Sequence, residues 1–185
     1  NALKSLGFDA KISNLPEDII NADRVILPGV GAFGDCMKGL MYGGLVEFIK
    51  EFIDKGRPFL GICVGVQLLF TRSFEFGEQA GLGYFKGDVN RFPDDGLNKV
   101  PHMGWNNVKI LKSDPLLDGL KDGDFFYFVH SYYAPVIEDT VLETEYIERF
   151  SAMVVRDNIA AVQFHPEKSQ KNGLKFLKNF AEWRC

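Results

Sequence analysis

The chain has 185 residues, 46% of them hydrophobic with 17 phenylalanines, and a formal net charge of −4, which suits one domain spanning residues 1–185 with a substantial core and is short for two. Lysines interspersed with acids leave no basic stripe for nucleic acid, and no apolar run is long enough to cross a membrane. Cys36, Cys63 and Cys185 are an odd set without framework spacing, so a reducing compartment, by default the cytoplasm, is expected.

Residues 1–7 read as the last turns of a helix closed by Gly7, followed by a short strand near Ala10-Lys11-Ile12. A strand normally precedes such a helix in a βαβ unit, so an initial strand is expected to be missing from this sequence. Arg24-Val25-Ile26-Leu27 is the next strand, and Pro28-Gly29-Val30-Gly31 is a loop. Leu45, Val46, Phe48, Ile49, Phe52 and Ile53 recur at helical spacing, with Gly56 as the stop. The apolar run Pro58-Phe59-Leu60 is then followed by Gly61-Ile62-Cys63-Val64-Gly65 and the helix-like run 66–70. Alternating strand and helix predict an α/β fold with a mostly parallel central sheet covered on both faces. After Phe70 glycines and short strands, such as 107–110 and 125–129, predict a strand-rich second half. Residues 150–155 and 159–164 form a hairpin across Arg156-Asp157-Asn158, and Leu174, Leu177, Phe180 and Trp183 mark a final amphipathic helix.

Cys63 carries the chemistry. A side chain on a sharp strand-to-helix turn has a strained backbone, and glycines two residues either side remove the Cβ atoms that would collide there. The following helix aims free N–H groups at the sulfur, which favours thiolate over thiol. A cysteine that merely fills space needs no such glycines. A thiolate also needs a base, and the base a carboxylate to orient it; Phe164-His165-Pro166-Glu167 places His165 at a strand end with Glu167 returning toward it. His165 alone reads as an ordinary surface histidine, and only its combination with Cys63 gives it a catalytic task. Gly29 to Gly34 formally matches the dinucleotide fingerprint, but the acid that fingerprint requires about 20 positions on falls within a helix, at Asp54. The loop instead offers backbone N–H groups to an oxyanion, Val30 or Gly31 together with Val64. His102, His130 and His165 lie too far apart for a local metal motif, so no metal or cofactor is expected.

Gly61 to Gln67 and His165 to Glu167 resemble the elbow and base motifs of the class I, or triad, glutamine amidotransferases. Pro28 to Gly31, Pro101-His102-Met103-Gly104-Trp105-Asn106, Tyr127 to Tyr132 and Phe164 to Ser169 are similar, more narrowly, to glutaminase subunits of imidazole glycerol phosphate synthases. The resemblance implies hydrolysis of the glutamine side-chain amide, with Cys63 attacking, His165 as acid and base, and Glu167 orienting it. It implies that Gly29, Gln67, Glu75, His130, Ser131 and Tyr132 hold glutamine, and that Met103, Trp105, Tyr127 and Lys168 meet a synthase (cyclase) partner of (β/α)8 fold that receives the ammonia. Trp105 and Tyr127 also read plainly as core aromatics, Glu75 as a solvated acid and Lys168 as a surface charge. Three other functions compete: a paralogous glutaminase feeding a different synthase, such as one amidating surface sugars, a catalytically silent interaction subunit, and a simple cysteine amidase or peptidase, against which Gln67 and the Trp105 segment argue. Intact Cys63, His165 and Glu167 argue against the silent subunit.

Overall fold

The computed structural model describes residues 1–185. In chain order the elements are α1 (Ala2–Ser5), α2 (Pro16–Asn21), β1 (Val25–Gly29), α3 (Phe33–Tyr42), α4 (Leu45–Asp54), β2 (Phe59–Cys63), α5 (Val64–Leu68), β3 (Phe70–Ser73), β4 (Gln79–Ala80) and β5 (Phe85–Arg91). The second half adds β6 (His102–Asn107), β7 (Lys109–Ile110), β8 (Phe125–His130), β9 (Tyr132–Tyr133), β10 (Thr140–Glu145), β11 (Arg149–Arg156), β12 (Ile159–Val162) and α6 (Gln170–Glu182). No helix is long and apolar enough to cross a membrane.

The six-stranded central sheet has the order β1-β2-β12-β11-β10-β7. Every residue of β2 and of β12 is buried, as expected of strands with both faces covered. The α/β class and the strand-rich second half are as expected. The sheet, however, is mixed rather than mostly parallel: β1, β2 and β12 run parallel, whereas β12, β11, β10 and β7 pair antiparallel. The tight turn at Asp157, φ +52°, folds β12 directly back against β11, and the short bend at residues 146–148 does the same for β10 and β11.

The parallel half builds the site. Its register sets Gly29 beside Cys63 and Ile62 beside Val162, so the loop after β1, the turn after β2 and the chain after β12 emerge side by side at the carboxyl ends of the strands. Beyond the central sheet lie a four-stranded sheet, β4-β3-β5-β9, and a two-stranded ribbon, β6-β8. In the ribbon His102 faces His130 and Trp105 faces Tyr127.

Helix α4 falls where its apolar spacing predicts, burying Ile49, Phe52 and Ile53, and α6 buries Phe176, Leu177 and Phe180. Trp183 lies just past the end of α6 but is buried beside Phe180. Two expectations are corrected. Residues 10–12 form no strand: Ile12 is fully exposed and Lys11 is drawn to Asp18 of α2, at 2.7 Å. The helix after Cys63 ends at Leu68 instead of continuing through Phe70, because Phe70 already pairs with Phe85 as the first residue of β3.

At Gly65 a Cβ would stand 2.2 Å from the Leu27 carbonyl oxygen, so β1 and α5 touch backbone to backbone. Gly65→Ala must push them apart and should cost about 3 kcal/mol, a fall of about 6–12 °C in Tm. Gly39→Ala, which meets nothing within 4 Å, is the matched control and should be neutral or stabilising in thermal denaturation. Equal Tm values for the two variants would refute the close contact.

Candidate active site

Cys63 ends β2 at φ +56°, ψ −112° and caps the amino end of α5. A non-glycine residue held there is strained by about 1–3 kcal/mol, and such strain persists only where the surroundings impose it. They do. A Cβ on Gly61 would come within 2.7 Å of the Gly65 carbonyl oxygen, and one on Gly29 within 2.6 Å of Val64 Cβ. The glycines flanking Cys63 thus allow the turn, and Gly29 allows the preceding loop to lie against it. That loop carries Val30 and Gly31, whose φ of +92° only glycine adopts readily, to the rim of the cavity above Cys63.

The cavity has a volume of about 350 Å3, and Cys63 and His165 both line it. Cys63 is 5% exposed, with Sγ 3.9 Å from the Val129 carbonyl oxygen and 3.9 Å from Gln163 Nε2. His165, on the turn after β12, has Nδ1 2.8 Å from Glu167 Oε1. Its Nε2 is buried without a formed hydrogen bond, available to the thiol or to a bound molecule. Burial opposes protonation of the imidazole, but Cys63 Sγ in its thiolate form and the Glu167 carboxylate outweigh it and raise the pKa to about 9. Burial likewise raises Glu167, yet the His165 contact holds its carboxyl below the usual range. The main chain fixes the histidine as well: His165 N donates to the Tyr127 carbonyl, while Ser169 Oγ donates to the His165 carbonyl and accepts from Tyr127 N.

Val30, Gly31, Val64, Gln67, Glu75, His130, Ser131, Tyr132 and Lys168 also line the cavity. Gln67 Nε2 donates to the Tyr132 carbonyl at 2.9 Å and to Gln163 Oε1 at 3.1 Å. Glu75 has a structural task too, since its Oε2 accepts the Phe33 N–H at 2.6 Å and so caps α3 directly after the loop. Gly29 and Glu167 do not line the cavity. Pro101, Val129 and Gln163 were not picked out from sequence. Gln163, one residue from Phe164-His165, is a polar residue in an apolar run, and that signal could have revealed it.

Met103, Trp105 and Tyr127 lie outside the cavity on the ribbon's outer face. Met103 is 63% and Trp105 46% exposed, Trp105 meets Tyr127 edge-on at 6.1 Å, and Lys168 Nζ sits 5.8 Å over the Tyr127 ring. Lys168 therefore joins the cavity rim to this aromatic surface.

A buried thiol at a strained turn, a histidine with one free nitrogen and a carboxylate on the other can perform acyl transfer through a thioester.

The chain is similar to known proteins over nearly its whole length. The family model described as glutamine amidotransferase class-I matches residues 1–183. The imidazole glycerol phosphate synthase subunit HisH of Caldanaerobacter subterraneus subsp. tengcongensis is 51% identical, covering 98% of this chain and 89% of that protein. The subunit of the same name from Aquifex aeolicus is 52% identical over 97% of this chain and 87% of its own length. Among solved structures, one titled as a glutamine amidotransferase superposes with a TM-score of 0.72 at 20% identity, covering 97% of this chain and 90% of that one. The glutaminase domain of Trypanosoma brucei CTPS, bound to acivicin, does so with a TM-score of 0.66 at 15% identity, covering 100% of this chain and 85% of that one. At these identities the structures speak for the fold alone.

Proposed function

The chain belongs to the class-I glutamine amidotransferases, among the HisH subunits, and we propose that it hydrolyses glutamine through Cys63, His165 and Glu167 and passes the ammonia to a cyclase subunit making imidazole glycerol phosphate and aminoimidazole carboxamide ribotide in histidine biosynthesis. The observation that carries the catalytic reading is the parallel register of β1, β2 and β12, which lines up an N–H-bearing loop, a nucleophile and a base at the carboxyl ends of the three strands.

Cys63 attacks the side-chain amide carbon of glutamine as the thiolate, its proton already held on His165 Nε2. The Val64 N–H and that of Val30 or Gly31 receive the developing oxyanion. His165 Nε2, protonated at neutral pH, gives its proton to the departing ammonia, then takes one from the water that opens the thioester and releases glutamate. Glu167 holds Nδ1 protonated throughout. Gln67, Glu75 and the 130–132 main chain embrace the rest of the substrate, while Gly29, outside the cavity, lets the loop lie against the elbow. Three free cysteines fit a reducing compartment such as the cytoplasm.

The surface formed by the exposed Met103, Trp105 and Lys168 around the half-buried Tyr127 fits a partner, because aromatic anchors ringed by polar groups are what binding sites use. We assign it to the cyclase, of (β/α)8 fold. Val30 is 78% exposed, so the loop that must supply an oxyanion donor is open on its outer side. Steady-state glutamine hydrolysis should therefore be slow for the subunit alone and rise about 10²-fold when the cyclase and its substrate are added. Full activity without the cyclase would refute coupling through this loop.

A further inference from the structure

On the face of β6 opposite Met103 and Trp105 lie His102 and Asn106, to which the mechanism gives no task. His102 is 3% and His130 6% exposed, and both rings stay neutral, because burial pushes their pKa values down to about 4 and about 3. His130 Nδ1 is 2.8 Å from the Tyr132 carbonyl oxygen, which can only accept, so that nitrogen carries the proton. Its Nε2 is then bare and 3.1 Å from His102 Nδ1, which must donate. His102 Nε2 is bare in turn and lies 3.4 Å from Asn106 Nδ2. The Asn106 amide is oriented independently, since Nδ2 donates to the Glu145 carbonyl at 2.9 Å and Oδ1 accepts the Asn107 N–H at 2.8 Å. Every proton from Asn106 to Tyr132 is thereby assigned.

At its inner end the series reaches the cavity. The Tyr132 carbonyl accepts from His130 and from Gln67 Nε2, and the same Gln67 nitrogen donates to Gln163, leaving Gln67 Oε1 as the atom offered to a ligand. The His102 ring cannot turn away, being stacked 4.1 Å from Tyr146 and 5.1 Å from Phe128.

We propose that His102, braced by Asn106, is a positioning residue for glutamine: by donating to His130 it fixes the tautomer that anchors the Tyr132 carbonyl, and through that carbonyl the orientation of Gln67 in the cavity. This rests on the reading of the cavity as a glutamine site. A wrongly protonated His130 would present a lone pair to the Tyr132 oxygen, free that carbonyl and let the Gln67 amide turn over. The effect belongs to binding, because neither histidine touches the Cys63 sulfur or the His165 ring.

The test combines two measurements on the complex with the cyclase. Imidazole 15N–1H NMR of the wild-type protein should show His102 and His130 both protonated at Nδ1 and neither titrating between pH 5 and about 8. In kinetics, His102→Phe, which keeps the stacking but loses the donor, should raise KM for glutamine about tenfold with kcat within about threefold, and leave ammonium-driven cyclase turnover unchanged. His102→Asn, whose amide nitrogen falls near Nδ1, should restore most of the loss. An Nε2–H tautomer at either histidine, or an unchanged KM in folded His102→Phe, would overturn the proposal. Should His102→Phe not fold, Asn106→Leu takes its place, with a KM rise of about threefold expected and an unchanged KM counting against. A wild-type complex inert toward glutamine, with both tautomers as assigned, would instead overturn the glutaminase reading beneath it.

Discussion

Cys63→Ala should reduce glutamine-dependent turnover of the complex by about 10⁴-fold or more while leaving ammonium-driven turnover intact. The substitution is structurally mild. Alanine bears the same Cβ at φ +56°, so the turn is no more strained than before, and the lost sulfur leaves a void beside a cavity already open to water. Thermal stability should change by about 1 kcal/mol or less. What disappears is the only atom able to form the thioester, and the second reaction, which needs ammonia alone, does not depend on it. The check is paired assays with glutamine and with ammonium on one preparation. Loss of both would show that Cys63 supports the fold of the complex and is not the nucleophile.

His165→Asn should cost about 10³-fold in kcat, because the asparagine amide can still donate to Glu167 but nothing remains at the Nε2 position to move a proton. The wild-type pH profile follows from the same group. With its pKa raised to about 9, His165 stays protonated through neutral pH, so glutaminase activity should hold and then fall as pH rises through about 9. Stability follows with a definite sign. A pKa raised above the unfolded value of about 6.5 means that the His165 contribution is complete below about pH 6.5 and lost as pH rises through about 9. The lowered Glu167 contributes above its ordinary value and loses that contribution as pH falls through its folded value. Tm measured against pH should show the alkaline loss in the wild type and a flatter curve in His165→Asn.

The elbow was legible because its chemistry is local: glycines at 61 and 65 around a cysteine at a strand end have one steric use, and the structure shows that use. The hairpin of β11 and β12 and the helices α4 and α6 were equally plain, each carried by an apolar period with a turn or stop beside it. Helix α3 was invisible, because Gly34 and Gly39 dilute its period; its start is set by the Glu75 carboxylate from a distant segment. Residues 10–12 alternate like a strand, but a strand exists only where a neighbour offers a ladder, and none does here. The histidines show the limit most sharply. Sequence separation set His102 and His130 apart, whereas the pairing of β6 with β8 makes them direct partners at 3.1 Å. Contacts made by strand register, such as Trp105 on Tyr127, leave no trace in local pattern.

The most direct test of the account is covalent labelling with a glutamine-mimicking electrophile, diazo-oxo-norleucine, in the presence of the cyclase, followed by peptide mass mapping. Cys185 is exposed and Cys36 half-buried, so indiscriminate thiol chemistry would favour both over the buried Cys63. The account predicts modification at Cys63 alone, prevented by glutamine. No modification, or equal labelling of Cys36 and Cys185, would contradict it and leave Cys63 a packing residue in a subunit that only braces its partner.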